Sequence, residues 1–497
     1  MAVEQAIVER EAGATRTRRW AFAGSAVFAW AVAVLAPLPY GGVYNSWLVV
    51  QIVATSLALA CLALSAGRGS GAEWRVAALA CAVPAIVAVT LGLQHIVAAR
   101  FASPVWSGLP IAVDPLAQSS RGAGMVELGQ AIAFALALLC GHAIARGGLG
   151  LRALRAFGYA GALYALLALG YEFLAPDRLL LTEKRAYLGY LTTPFVTRNT
   201  AATFYGSIAV VLALFVARAR LGRSARGVAT ADVVALASVA LALALTGSRA
   251  GIVLSALACI AAYLATTRGF ARRRGRSRLV WIAAAGIPVL IGMMILSERF
   301  ADETVIGGGR AETYAAVARM IAERPLLGWG IGTFADVFPS FRDGSTRGIW
   351  DRAHSTPLEW AAEGGLPFAL AMLGVLGGFL ALTARLFVQA RGPYMGEVRR
   401  EPGLSQRPLA AFLVLALGLT HSLIDFSLDI TGYLVPCAFL IGLGTSAVPG
   451  AALQAYASRA HPRERARMDE GAFDGSASEG EEGLREGGAR RAEAAER

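Results

Sequence analysis

Lysine is almost absent from this chain: Lys184 stands alone among 497 residues, so the net charge of +12 rests on arginine. Charge of either sign is scarce, at 16% of residues, where a soluble globular protein carries about 25%. That deficit excludes a soluble enzyme. Histidines number five and cysteines five, and the cysteines (Cys61, Cys81, Cys140, Cys259, Cys437) lie in apolar runs without paired spacing. They read as small buried hydrophobes, which implies neither disulfides nor a metal site.

What is abundant is apolar sequence: 56% of the residues are hydrophobic and the mean hydropathy is +0.54. Twelve apolar segments can be marked, at 20–38, 46–65, 74–97, 125–145, 154–174, 200–217, 229–247, 249–267, 279–297, 362–384, 409–425 and 430–448. A helix needs about 20 apolar residues to cross the hydrocarbon layer. The expected fold is therefore all-α, a polytopic bundle of about twelve membrane helices over residues 20–448. Residues 1–19 form a cytoplasmic segment, and the polar tail 449–497 is expected to be disordered. No cleavable signal is expected, because the arginines before Trp20 and the long run after it suit a retained start-transfer helix.

The arginines fall in short clusters between alternate runs: 16–19, 68–75, 146–155, 218–226, 268–278 and 385–407. This spacing fits the positive-inside bias rather than a nucleic-acid surface, so no nucleic-acid partner is expected and both termini are cytoplasmic. Trp20, Trp47, Trp74, Trp281 and Trp360 sit at span ends, as interfacial tryptophans do. The run 229–267 would be nearly 60 Å long as one helix, twice the hydrocarbon thickness of about 30 Å. It must turn at Thr246-Gly247-Ser248-Arg249-Ala250-Gly251, on the outer face.

The same parity puts one large extracytoplasmic loop, 298–361, between the ninth and tenth helices. Within it, Arg310 to Glu323 reads as an amphipathic helix with Tyr314, Val317 and Ile321 along one face, stopped by Arg324-Pro325. Gly328, Gly330 and Gly332 follow at a spacing suited to a tight backbone path.

Ionisable residues in or beside spans are candidates for function. Arg249 in the outer turn reads either as a snorkelling anchor or as a phosphate clamp, since its planar fork matches phosphate oxygens. Arg310 at a helix N-terminus opposes the dipole, which an anionic ligand would offset; a solvated arginine is the alternative. His354 is the only histidine in the large loop and can act as a general base or hold the loop in place. Glu359 and Glu363 lie at i and i+4, where like charges repel, so one of them needs a cationic partner. His421 and Asp425 share that spacing and suggest a direct hydrogen bond capping the bundle. Arg198 and Asn199, with Lys184 and Arg185 upstream, put further positive charge on the outer face. These readings suit a site for an anionic, membrane-borne substrate.

The stretches FVTRNTAATFY, TGSRAG, GGGRAETYAAVARMIAERPLLGWGIGTF and AHSTPLEWAAEGGLPFAL, in this order over 195–375, resemble the O-antigen ligase and O-antigen polymerase superfamily. These are polytopic glycosyltransferases of the bacterial inner membrane. The resemblance implies that Arg249 and Arg310 bind the diphosphate of a polyprenyl-diphosphate-linked glycan donor. It also implies that His354 acts on the hydroxyl of a lipid or glycan acceptor on the periplasmic face. No cofactor and no metal are implied, and the lipid bilayer is a partner. Ser355 departs from the family's commoner asparagine, and HSLIDF suits the polymerase-like branch. Ligase, polymerase and protein O-oligosaccharyltransferase all stay open. A lipid-linked oligosaccharide transporter is the alternative from another class; it would place ionisable residues near the midplane.

Overall fold

The computed structural model describes residues 2–66, 74–98, 115–219, 226–267, 310–342, 350–390 and 405–446. Side chains are described from residue 17 on, without those of 115–123, 226–227 and 310–311. In chain order the helices are α1 (Ala2–Leu35), α2 (Asn45–Ser65), α3 (Trp74–Ala98), α4 (Pro115–Arg146) and α5 (Gly150–Leu174). A two-stranded hairpin follows, β1 (Arg178–Leu179) and β2 (Thr182–Glu183). Then come α6 (Arg198–Ala219), α7 (Arg226–Leu245), α8 (Arg249–Thr266), α9 (Arg310–Glu323), α10 (Phe334–Val337), α11 (Thr356–Gln389), α12 (Gln406–Ser422) and α13 (Thr431–Gly444).

Eight of these helices are long and apolar enough to cross a membrane, so the chain is an all-α polytopic membrane protein. Helices α1, α12 and α13 cover further apolar runs. The ninth run, 279–297, and the tail 449–497 lie outside the described residues, as do the start of the large loop and its residues 343–349.

Helix α6 is the hub. Its span is 94% buried, and α5, α7, α8 and α12 pack around it. A second group gathers on α4, which touches α2, α3 and α13. Peripheral helices turn one side outward: Val49, Val50, Val53, Leu57 and Leu64 of α2 are exposed, at the three-to-four residue spacing of a lipid-facing stripe. The cysteines split between these environments. Cys140 and Cys437 are buried as expected, but Cys81 is exposed and Cys61 and Cys259 are half-buried, because an apolar run in a membrane helix has a lipid side as well as a core side.

The turn between α7 and α8 falls at Gly247, whose φ of +60° is one that L side chains avoid. A Cβ there would also lie 2.6 Å from the Tyr190 ring. Ser248 then starts α8, its hydroxyl accepting from the Gly251 amide at 3.4 Å, an N-cap. Helix α11 begins at Thr356, earlier than the apolar run at 362 suggests, because its first turns carry the polar residues Glu359 and Glu363. It is interrupted at Gly365, where φ is +83° and ψ +168°.

Helix α9 and the glycine segment after it own a small separate core: Ala316, Val317, Met320, Trp329, Phe334, Val337 and Phe338. Tyr314 and Val317 of the expected apolar face are buried, while Ile321 packs at its edge. Gly328, Gly330 and Gly332 all have positive φ, at 63°, 123° and 79°. This path lets the amides of Trp329 and Gly330 donate to the carbonyls of Ala362 and Glu363 at 2.9 Å each. The interruption of α11 at Gly365 and the docking of the loop are thus one feature.

Candidate functional site

His354 lies just before α11, and the local chain is arranged around it. Glu359 in the first turns of α11 reaches back over this segment. Its Oε2 accepts from the Ala353 amide at 2.7 Å and its Oε1 from Arg352 Nη1 at 2.8 Å. Arg352 also meets Glu127 of α4 at 3.6 Å. Burial opposes the charge on Arg352, but Glu359, Glu127 and Asp429 outweigh it and hold the guanidinium more firmly protonated than usual. The cationic partner required by the Glu359/Glu363 spacing is therefore Arg352. Removing one partner from a buried ion pair costs about 3–5 kcal/mol.

Between these clamps His354 adopts φ +53°, a left-handed conformation that is uncommon for a residue with a Cβ and concentrates at functional positions. Its carbonyl accepts from the Tyr314 hydroxyl at 3.0 Å, which ties it to α9. The imidazole packs edge-on against Trp350 and Phe426, with ring centroids at 5.3 and 4.9 Å. Its side chain keeps 19% exposure, and Nδ1 faces Asp425 Oδ1 at 3.6 Å.

Asp425 is the junction of the site. Asn199 Nδ2 donates to its Oδ1 at 3.0 Å and Ser427 Oγ to its Oδ2 at 3.0 Å. Burial alone would push this carboxyl up, but the contacts from His354, His421 and Asn199 outweigh it and hold it below the usual carboxylate range. It is thus an anion at neutral pH. The expected direct pair with His421 takes a different form: Ser427 stands between them, its Oγ 3.5 Å from His421 Nδ1. His421 Nδ1 itself meets Thr203 Oγ1 at 2.7 Å. The i, i+4 argument fails because α12 ends at Ser422, so Asp425 is no longer on its helical face.

Asn199 carries the network on. Its Oδ1 accepts from Ser248 Oγ at 2.9 Å, and Ser248 caps the helix that Arg249 opens. Three segments distant in sequence, at 199, 248 and 425, therefore converge on His354. Arg249 is exposed at this end and makes no hydrogen bond or ion pair with another described residue. Arg198 stacks on Tyr190 at 4.5 Å and on Tyr187 at 5.9 Å. Its Nη1 lies 3.7 Å from where a Cβ on Gly247 would stand, so Arg198 borders the turn that carries Arg249. Arg310 opens α9, and its side chain lies outside the described residues. Lys184 corrects the expectation of extra surface charge: it is buried, 3.4 Å from Glu172, and it also donates to the Tyr190 carbonyl.

Glu363 performs a backbone role. Its carboxylate accepts from the amides of Gly332 and Phe334 at 2.9 Å each, which anchors the glycine segment. Gln94 of α3 completes the anchor. Its Nε2 donates to the carbonyls of Leu327 and Glu363 at 2.6 and 2.7 Å, and its Oε1 accepts from the Ile331 amide at 3.1 Å. Below these groups lies a cavity of about 60 Å³ with Glu127, Gln130, Glu363 and Asp429 on its polar wall, room for a few waters. Burial and the charge of Glu359 push the Asp429 carboxyl up, and Thr356 Oγ1 donates to it at 2.8 Å.

Gln94, Glu127, Arg352, Ser427 and Asp429 are absent from the sequence-based candidates. Glu127 and Gln94 carried a signal, since each is a polar residue inside an apolar run. No group of three or more His, Cys, Asp or Glu side chains able to hold a metal ion occurs among the described residues.

Residues 233–373 match the family model described as O-antigen ligase, a stretch that contains Ser248, Arg249, Gly330 and His354. The match supports the resemblance to the O-antigen ligase and polymerase superfamily, and with it a ligase- or polymerase-type membrane glycosyltransferase. No curated protein matches the chain.

Proposed function

From that match, we propose that this protein transfers a glycan from a polyprenyl-diphosphate carrier to the hydroxyl of a lipid A-core or similar acceptor, on the periplasmic face of a bacterial inner membrane. The observation that carries the reading is the chain of contacts His354–Asp425–Asn199–Ser248. It joins a histidine with partial solvent access to the turn that presents Arg249.

The chemistry follows from the placement of charge. An anionic Asp425 facing Nδ1 favours the tautomer with the proton on that nitrogen, which leaves the lone pair on Nε2. Nε2 then takes the proton from the acceptor hydroxyl as its oxygen attacks the anomeric carbon. The C–O bond to the diphosphate breaks, and the diphosphate leaves with the bonding pair. Asp425 stabilises the imidazolium formed, as the carboxylate does in other His-carboxylate pairs. Arg249, with Arg198 beside its turn, provides fixed positive charge for the leaving group, and Arg310 is assigned to the same clamp by the family resemblance. In-line attack inverts the anomeric centre. The match at residues 233–373 supports both branches; the ligase-type reaction is the leading reading and the polymerase-type reaction its alternative.

The test is reconstitution of the full-length protein in vesicles with a synthetic polyprenyl-diphosphate glycan and a lipid A-core acceptor. A ligase joins the glycan to the acceptor in the presence of chelator. Longer glycan on the carrier, with the acceptor unchanged, assigns the polymerase reaction. Transfer that disappears with chelator and returns with a divalent cation contradicts the metal-free mechanism.

A further inference from the structure

The connection from α5 to α6 carries apolar residues where a water-facing loop would carry polar ones. Helix α5 is a membrane span, and Leu163, Leu166, Leu167, Phe173 and Leu174 are exposed along it. Their spacing is that of one helical face, so this stripe faces lipid. It runs to the last residue of the helix, Leu174, which is 87% exposed. The chain then forms the β1–β2 hairpin, with Arg178 opposite Glu183 and Leu179 opposite Thr182. The turn residues are Leu180, at φ +54°, and Leu181, which is 91% exposed. Tight hairpin turns with positive φ select Asn, Asp and Gly. Two leucines work against both the turn and water.

The hairpin is held close to the end of that stripe. Lys184 Nζ lies 3.4 Å from Glu172 Oε2 in the last turn of α5, and the Lys184 amide donates to the Asp177 carbonyl at 2.7 Å. Leu181 is three residues from Lys184, so the chain keeps it within about 11 Å of that anchor. The polar layer of a bilayer is about 5–7 Å thick on each side, which the hairpin can span. Arg178 and Arg185 flank the apex and are exposed, as basic residues at headgroup height are.

We propose that the 178–183 hairpin is a membrane wedge, with Leu181 seated at the boundary between headgroups and acyl chains of the leaflet at the His354 end. It continues the lipid-facing stripe of α5. The occupant of this apolar surface is the bilayer itself, because the stripe that leads to it already faces lipid. The wedge is also coupled to the candidate site: Lys184 donates to the Tyr190 carbonyl, and the Tyr190 ring lies under Arg198 and against Gly247. The hairpin therefore sets the height of these groups relative to the membrane surface.

The full-length protein in phosphatidylethanolamine–phosphatidylglycerol vesicles provides the test. A nitroxide is attached at Leu181→Cys, and wild type labelled in parallel accounts for the native cysteines. Ala335→Cys, exposed on the short helix α10, serves as the aqueous reference. The label at 181 is expected to relax mainly through oxygen, with access to a water-soluble nickel chelate far below that at 335. Equal nickel access at the two positions overturns the proposal. As a second variant, Leu181→Trp is expected to lose emission in vesicles of brominated lipid relative to wild type; emission unchanged by bromination overturns the proposal as well.

Discussion

At the scale of single residues, the account rests on Asp425 being an anion beside His354. Replacing it with asparagine removes the charge that stabilises the imidazolium while keeping a polar side chain of the same size. Transfer by Asp425→Asn is expected to fall by about 10²–10⁴-fold, the range attributed to positioned acid–base catalysis, with donor binding retained. A pH dependence follows from the lowered carboxyl. A group with a depressed folded pKa contributes stability above its unfolded value, about 3.9 for aspartate, and loses it as pH falls through the folded value. The thermal midpoint of wild type should therefore exceed that of Asp425→Asn at neutral pH, and the margin should shrink below about pH 4. A margin that persists undiminished at the acid end would place the effect of Asp425 elsewhere. For Arg249, lysine supplies a point charge in place of a fork, so Arg249→Lys should raise the KM for donor more than it lowers kcat.

At the scale of elements, the glycine segment against α11 decides whether the loop is held over the bundle. Gly328 has φ +63°, and a Cβ there would come within 2.4 Å of the Glu363 carbonyl group. Gly328→Ala should lower stability by about 1–2 kcal/mol from the backbone conformation alone, and further from the collision, measured as a drop in thermal midpoint. Gln94→Ala leaves buried carbonyls and an amide without their partner, at about 1–3 kcal/mol for an unsatisfied group. It should lower both stability and transfer, because the groups it holds precede α10 and flank Glu363.

Much of this was legible in sequence at the level of elements. The turn at Gly247 followed from length alone, and α9 from its periodicity and its Arg324-Pro325 stop. What sequence could not show was which side chains meet. The spacing of His421 and Asp425 pointed to a direct pair, but the end of α12 at Ser422 turned Asp425 toward Asn199 and His354 instead. Gln94 and Glu127 lie far in sequence from every motif, and only the packing of α3 and α4 against the loop brings them in. Lys184 read as surface charge because nothing local reveals that Glu172 and Tyr190 enclose it.

At the scale of the whole molecule, the arginine alternation predicts the orientation. A reporter fused after Thr267, at the end of α8, should behave as cytoplasmic, and one fused after Glu323, at the end of α9, as periplasmic. The reverse pattern would move the His354 end to the cytoplasm and remove the proposed substrates.

The central claim is that His354 is the base that activates the acceptor. The most direct measurement is the single-turnover transfer rate of His354→Asn in vesicles with saturating donor and acceptor, beside a donor-binding assay on the same preparation. Asparagine keeps a donor for holding the loop but cannot take a proton at neutral pH. The account predicts a rate at least about 100-fold below wild type, with donor binding and thermal midpoint retained. Near-normal transfer by His354→Asn would contradict it and leave His354 a structural link between loop and bundle.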